Sequence, residues 1–297
     1  MANHHYGNIG DVWKHMVLCE ILYRTKPDIV LESHAGAARY ALTPAPERNH
    51  GIYHFLNAAE VNSTLRNTVF FNLLQELPGR DGKPNVYPGS PYIELTLLSR
   101  HNTGFIFCDL DDTSLENINL AAGDLNVSPQ RVTCRSADGI TTMMSAIADV
   151  GKDKTTLLHI DPFRLLDCNN QGYSSVDLFI QAALAGIKTL LWYPILSQEE
   201  IPSEAVTVVS EHLVKNSYPD HLRFPTGEIR LKDCILYDSN NRPISGETLL
   251  PGCGIMYANI SDDLVKRCSE LGHELADTYR DMKNRVVFTE TLVTASE

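Results

Sequence analysis

The run DIVLES (residues 28–33) passes directly into HAGAARY (34–40), an apolar segment closed by a turn of small residues. Four further runs repeat the pattern: GFIFCDL (104–110), RVTCRSA (131–137), TTLLHI (155–160) leading into Asp161-Pro162, and IKTLLWY (187–193). Short, near-continuous apolar runs separated by helix-length segments read as strands of a parallel sheet covered on both faces. The spacing predicts connecting helices at 90–100, 113–124, 140–150, 174–185 and 197–215. A final antiparallel pair is expected at 221–236 and 253–260, then a helix at about 262–283, with the closing TASE as a frayed tail.

One connection breaks the rhythm. About 50 residues separate the first strand from the helix near residue 91, against about 2–6 for an ordinary strand-to-helix loop. This stretch contains Pro44, Pro46, Pro78, Pro84 and Pro88, with a helical pattern at 54–76. We therefore expect residues 1–297 to form a single domain carrying an inserted helical subdomain or lid at 44–89.

Composition narrows the class. The 297 residues are 43% hydrophobic and 21% charged, which excludes a mainly disordered chain. No apolar run reaches the ~20 residues needed to span a membrane. Seven cysteines without a C-x-x-C pair argue against a disulfide framework and a structural zinc site, so no metal is expected. The start, MANHHYGNIGDVWKH, lacks the layout of a signal peptide, and a cytoplasmic enzyme is the default. The formal charge is −12, which disfavours general attraction to phosphate backbones but leaves a local basic patch open.

In open parallel sheets, ligands sit beyond the carboxyl ends of the strands, where strand order reverses. The unusual residues fall at those ends: the small turn with Gly36, then Asp109, then Asp138-Gly139, then Asp161-Pro162-Phe163-Arg164. A carboxylate at Asp109 can accept both ribose hydroxyls, and one at Asp138 can accept from an adenine amine. Each also has a plainer reading: Asp109 as a helix cap, Asp138-Gly139 as a turn. Neither G-x-G-x-x-G nor G-x-x-x-x-G-K-[ST] occurs, which disfavours a dinucleotide or nucleoside triphosphate. S-adenosylmethionine, with ribose and adenine but no phosphate, fits the set.

The ordered motifs carry a resemblance. They are Gly7-Asn8-x-x-Asp11-Val12-x-Lys14-His15, His34-Ala35-Gly36-Ala37-x-Arg39-Tyr40, Tyr87-Pro88-Gly89-Ser90-Pro91, Ala137-Asp138-Gly139, Asp161-Pro162 and Leu191-Trp192-Tyr193-Pro194. Together they resemble the large-subunit rRNA adenine-N6 methyltransferase family, over residues 7 to 194. The resemblance implies an α/β fold of the class I methyltransferase (Rossmann-like) type, with a mostly parallel sheet, and S-adenosylmethionine as cofactor. It further implies that Lys14, His15, His34 and Ser90 line the cofactor pocket, with Asp109 on the ribose side, Asp138 at the adenine end and Asp161 as catalytic aspartate.

The chain departs from that family in three ways. The motif Asp-Pro-Pro-Tyr is here Asp161-Pro162-Phe163-Arg164, Ala38 stands where the family usually has Gly, and the balance is acidic. Even in the insertion, Arg48, Arg66, Arg80 and Lys83 stand against Glu47, Glu60, Glu76 and Asp81. From these departures we expect a changed substrate: N-methylation of a small, acidic molecule, with RNA disfavoured. Asp161 would orient the nucleophile, Phe163 stack on the substrate, and Arg164 anchor an acidic group or pair with Asp167. Trp192 and Tyr193 would wall the pocket, and Asn8–His15 would close over the cofactor. Two alternatives stay open: methylation of adenine N6 in rRNA, and a cofactor-binding protein that uses S-adenosylmethionine for chemistry other than methyl transfer.

Overall fold

The computed structural model describes residues 5–80, 83–151, 153–196, 202–216, 218, 222–231, 236–237, 243–244, 251–279 and 286–294. The expected strand at 221–236, the start of the helix at 197–215, and residues 295–297 of the tail fall partly or wholly outside these. All five predicted parallel strands are present: β1 (Ile29–Glu32), β2 (Gly104–Asp109), β3 (Val132–Ser136), β4 (Thr156–Ile160) and β5 (Lys188–Ile195). They continue into β6 (Arg223–Leu231), β7 (Gly252–Ala258) and β8 (Val286–Thr294).

These eight strands form one sheet in the order β8-β6-β7-β5-β4-β1-β2-β3. Neighbours from β3 across to β5 run parallel, and β7, β6 and β8 pair antiparallel. The expected antiparallel pair is thus three strands. β8 lies along the whole of β6, from Arg223 opposite Thr294 to Leu231 opposite Val286, and Thr294 of the expected tail belongs to it. Apolar residues account for the central strands: Val30 and Leu31 are both fully buried but enter opposite core layers, as alternation across a pleat requires.

Eleven helices are described, numbered along the chain. One layer holds α1 (Ile9–Thr25), α6 (Ser90–Leu98), α7 (Asp112–Asp124) and α11 (Asp262–Asp277), with α2 (Pro46–His50), α3 (Ile52–Val61), α4 (Ser63–Arg66) and α5 (Val69–Glu76) between α1 and α6 in sequence. The other holds α8 (Gly139–Asp149), α9 (Ser175–Leu184) and α10 (Glu204–Lys215). The long connection after β1 is closed at its base by antiparallel pairing of Arg39–Ala41 with Val86–Pro88. Its helices bury Phe55, Phe70, Leu73 and Leu74 in the same core as Met16, Val17 and Leu18 of α1. Among the described residues no helix is long and apolar enough to cross a membrane.

α1 is the main element the sequence reading did not separate. Residues Val12 to Leu22 are all buried, so the helix has no amphipathic stripe to reveal it. Asn8 caps it, its side chain accepting from the Asp11 N–H at 3.0 Å. The segment Asn8–His15, expected to close over the cofactor, is therefore the first turns of a core helix.

Candidate active site

The chain runs β1, β2, β3 toward one edge, then returns to place β4 and β5 on the other side of β1. The reversal between β1 and β4 opens a crevice at their carboxyl ends. Ser33–Ala38 and Asp161 flank it.

Asp161 is held by α1. Its Oδ2 accepts from the Lys14 ammonium at 2.6 Å, and the same ammonium stands 3.1 Å from Oδ1 of Asp11. Asp11 and Lys14 share a face because they lie three residues apart on the helix. The ammonium also lies 5.5 Å from the centre of the Trp192 ring, a cation–π contact. Burial pushes the Asp161 carboxyl toward its neutral form, but Lys14, joined by His159 and His34, outweighs it and holds the pKa below the usual carboxylate range. For Lys14 burial favours loss of the proton, and Asp161 and Asp11 together reverse that, raising its pKa. Asp11, with burial dominant, is raised. At neutral pH the outcome is an ionised Asp161 against a charged lysine. Among the described residues no other group donates to Asp161, which leaves Oδ1 available.

His34 sits between the three strand-end acids. Burial lowers its pKa, against the opposing pull of the Asp161, Asp109 and Asp138 carboxylates, and its Nδ1 is 2.8 Å from the Ser33 hydroxyl. Asp109 accepts from the Gly36 N–H at 2.8 Å through Oδ2 and from the Asp111 N–H at 2.8 Å through Oδ1, so it fixes the small-residue turn. Gly36 has φ +60°, a conformation that favours glycine; Ala38 does not, so its replacement of a family glycine is without backbone strain. Asp138 caps α8, its Oδ1 accepting from the Thr141 N–H at 2.7 Å and from the Asn169 amide at 3.0 Å. Burial acts to raise the Asp138 pKa, and these bonds lower it further than burial raises it. Gly139 brings α8 against the turn: a Cβ there would stand 1.8 Å from the Ser33 carbonyl oxygen.

The arrangement suits S-adenosylmethionine. Gly36 and Gly139 let backbone approach where side chains would intrude, and Asp109, Asp138 and Asp161 offer acceptors for hydroxyl, amine and ammonium groups without a phosphate cradle.

Other predicted site residues are placed differently. His15 is buried in the core, its Nδ1 2.8 Å from the Tyr87 hydroxyl and its ring edge-on to Phe70, and burial lowers its pKa well below the ordinary value. Ser90 is buried at the N-terminus of α6 and bonds to Glu32. Tyr193 points to the other core layer, donating to Glu228 at 2.9 Å, so of the expected aromatic pair only Trp192 faces Lys14. Period-two alternation makes it impossible for both to wall one pocket.

Phe163 and Arg164 are exposed, Phe163 by 86%. No carboxylate stands within ion-pair distance of Arg164 among the described residues, so the expected pairing with Asp167 is absent. Asp11, Glu32, Glu94 and His159 at or below the crevice were missed. Asp11 was visible in the motif Asp11-x-x-Lys14, as an acid one helical turn from a lysine.

The family model described as "Ribosomal RNA large subunit methyltransferase D, RlmJ" matches residues 25–213. Ribosomal RNA large subunit methyltransferase J of Escherichia coli (strain K12) is 27% identical over 207 residues, covering 66% of this chain and 70% of that protein. The crystal structure of protein LPL1258 from Legionella pneumophila str. Philadelphia 1 covers 99% of both chains with a TM-score of 0.70 at 20% identity, a likeness of fold. These matches correct the expectation of a small acidic substrate with RNA disfavoured, since the matched family and the E. coli relative are both described as ribosomal RNA methyltransferases. The error lay in reading a net charge of −12 as a property of the site: charges beyond about 8–10 Å are screened, so only the local arrangement meets a phosphate. With a class I sheet, acids at the ends of β2, β3 and β4, and a family match over most of its length, the chain is an S-adenosylmethionine-dependent methyltransferase and belongs to the RlmJ family of ribosomal RNA large subunit methyltransferases.

Proposed function

We propose that this enzyme methylates an adenine N6 nitrogen of large-subunit ribosomal RNA. The observation that carries the reading is Asp161, an ionised carboxylate pinned through Oδ2 by Lys14, with Oδ1 available and an exposed aromatic ring two residues further on. S-adenosylmethionine supplies a methyl group already activated on a sulfonium, so the protein's work is positioning and desolvation. Asp161 Oδ1 and the Pro162 carbonyl accept the two amine hydrogens of a flipped adenine, which turns the nitrogen lone pair toward the methyl group. Phe163 stacks on the base in place of the family's tyrosine, a contact of about 1–3 kcal/mol. Arg164, exposed and without a carboxylate partner, binds a flanking phosphate.

On the cofactor side His34, Gly36, Asp109, Asp138 and Gly139 line the pocket. Lys14 acts by fixing Asp161, and His15 and Ser90 act at one remove, as supports for α1 and β1. The 44–89 insertion serves as a fixed wall for α1 rather than a moving lid, a role supported by the core that Phe55 and Phe70 share with Met16.

The test is methyl transfer from labelled S-adenosylmethionine to unmodified large-subunit rRNA, with nucleoside mass spectrometry of the product. N6-methyladenosine is expected. Asp161→Asn should abolish it, and Phe163→Ala should lower it about tenfold or more, from the lost stacking. Methylation of another base or atom, or full activity in Asp161→Asn, would sink the assignment.

A further inference from the structure

Beneath the crevice lies a second cluster that methyl transfer does not use. Glu32 is the last residue of β1 and stands in register with His159 of β4. Glu94 reaches them from the second turn of α6. Glu32 and Glu94 are 0% exposed and His159 1%. The ligand-type atoms of the three lie within 4.8 Å of one another, and His159 Nδ1 is 2.8 Å from Glu32 Oε1.

The cluster is short of partners. Among the described residues neither carboxylate oxygen of Glu94 has a hydrogen bond, and Glu32 Oε2 has none. A buried carboxylate without a counter-charge or donor is among the costliest arrangements in a protein interior. One imidazole cannot neutralise two carboxylates. A proton on Glu94 lets one of its oxygens donate to Glu32 Oε2 but still leaves the other Glu94 oxygen unmatched. A divalent cation instead takes up all three oxygens, with a neutral imidazole, and brings the net charge of the cluster to zero.

We propose that Glu32, Glu94 and His159 hold a divalent transition-metal ion that ties β1, β4 and α6 together beneath the methyl-transfer site. Two carboxylates and one imidazole form a donor set for zinc and its first-row neighbours. Tetrahedral ligands about 2.0–2.1 Å from one metal stand roughly 3.3–3.4 Å apart, so Glu32 and His159, 2.8 Å apart, need move only by about half an ångström. Glu94, whose ligand atom lies within 4.8 Å of both others, closes the remaining distance at the end of a flexible side chain. The Ser90 hydroxyl, bonded to Glu32, is the outer-shell support such ligands commonly have. The position gives the ion its function: His159 in β4 precedes Asp161, just past the strand's end, by two residues, and Glu32 precedes His34 by two, so the metal fixes both crevice walls from below.

The full chain, stripped with chelator and dialysed against Zn²⁺, should bind one ion, counted by elemental mass spectrometry, and melt at a higher temperature than the stripped protein. Glu94→Gln preserves shape and should weaken zinc binding at least tenfold while removing the zinc-dependent rise in melting temperature. His159→Gln should do the same. Sub-stoichiometric zinc in the wild type, or equal zinc in wild type and both variants, would overturn the proposal. So would a Glu94→Gln protein that is more stable than the wild type whether or not zinc is present, which would show Glu94 carrying a proton instead. None of these readouts depends on the identity of the methylated substrate.

Discussion

Replacing Lys14 by methionine keeps the buried stem and removes the ammonium between Asp161 and Asp11. At distances of 2.6 and 3.1 Å, the gross attractions at an effective dielectric of 20 are about 6 and about 5 kcal/mol. Much of that is offset by the cost of burying the lysine charge, which the substitution recovers, and breaking one partner of a buried pair typically costs about 3–5 kcal/mol net. The Asp161 side chain is 18% exposed, so water relieves part of its lost pairing and the lower end, about 3 kcal/mol, is expected. The assay is equilibrium unfolding in urea at pH 7.5, followed by far-ultraviolet circular dichroism, because Trp192 lies against Lys14 and its fluorescence responds to the substitution directly. Asp161→Asn in the Lys14→Met background should restore much of the loss, with a coupling energy of about 2 kcal/mol or more between the two positions. A Lys14→Met cost below about 1 kcal/mol, or strictly additive effects in the double variant, would refute the view that this ion pair holds Asp161 in place.

Two further outcomes are expected. Gly139→Ala sets a Cβ 1.8 Å from the Ser33 carbonyl oxygen, where real contacts stop at 3.0 Å, so α8 and the turn after β1 must part by the difference, 1.2 Å. Stability should fall by about 1–3 kcal/mol, and S-adenosylhomocysteine affinity, measured by calorimetry, should drop at least tenfold; Gly123→Ala, inside α7 with nothing within 4 Å, is the control, leaving affinity unchanged and stability no lower. His54, which packs on Tyr279 at 3.9 Å and lies 2.9 Å from the Thr278 hydroxyl, has its pKa lowered by burial to about 4. The unfolded chain therefore binds this proton first, so stability is full above the ordinary histidine pKa and is lost progressively as pH falls from about 6.5 toward 4. Melting temperature plotted from pH 7 to 4.5 should slope less steeply in His54→Asn than in wild type, and equal slopes would show that the ring charges freely.

The strand ends were legible because their chemistry is local. A small-residue turn after an apolar run, and an acid closing each of the next three runs, carry their meaning within a few residues, and Asp109, Asp138 and Asp161 all lie at the crevice ends. His15 carried no such signal: the same motif that supplies Lys14 to the crevice sends the neighbouring ring into the core beside Tyr87, because consecutive helical residues face about 100° apart. Trp192 and Tyr193 part for the matching reason in a strand. The edge strand β8 was missed because its middle, Thr289–Leu292, is exposed without alternation and its register is set by pairing with β6, more than fifty residues away.

Sequence by itself determined the class of this protein: an alternating sheet with acids at the carboxyl ends of its strands and an ordered set of family motifs. Its charge total was a poor guide to substrate, since a sum over 297 residues has no position. Tertiary structure decided which groups meet. Asp11 and Lys14 stand about 150 residues from Asp161, and Glu32, Glu94 and His159 come from three separate elements. Long-range packing of α1 and α6 on the sheet joins each set, and no periodicity within a single segment encodes that contact.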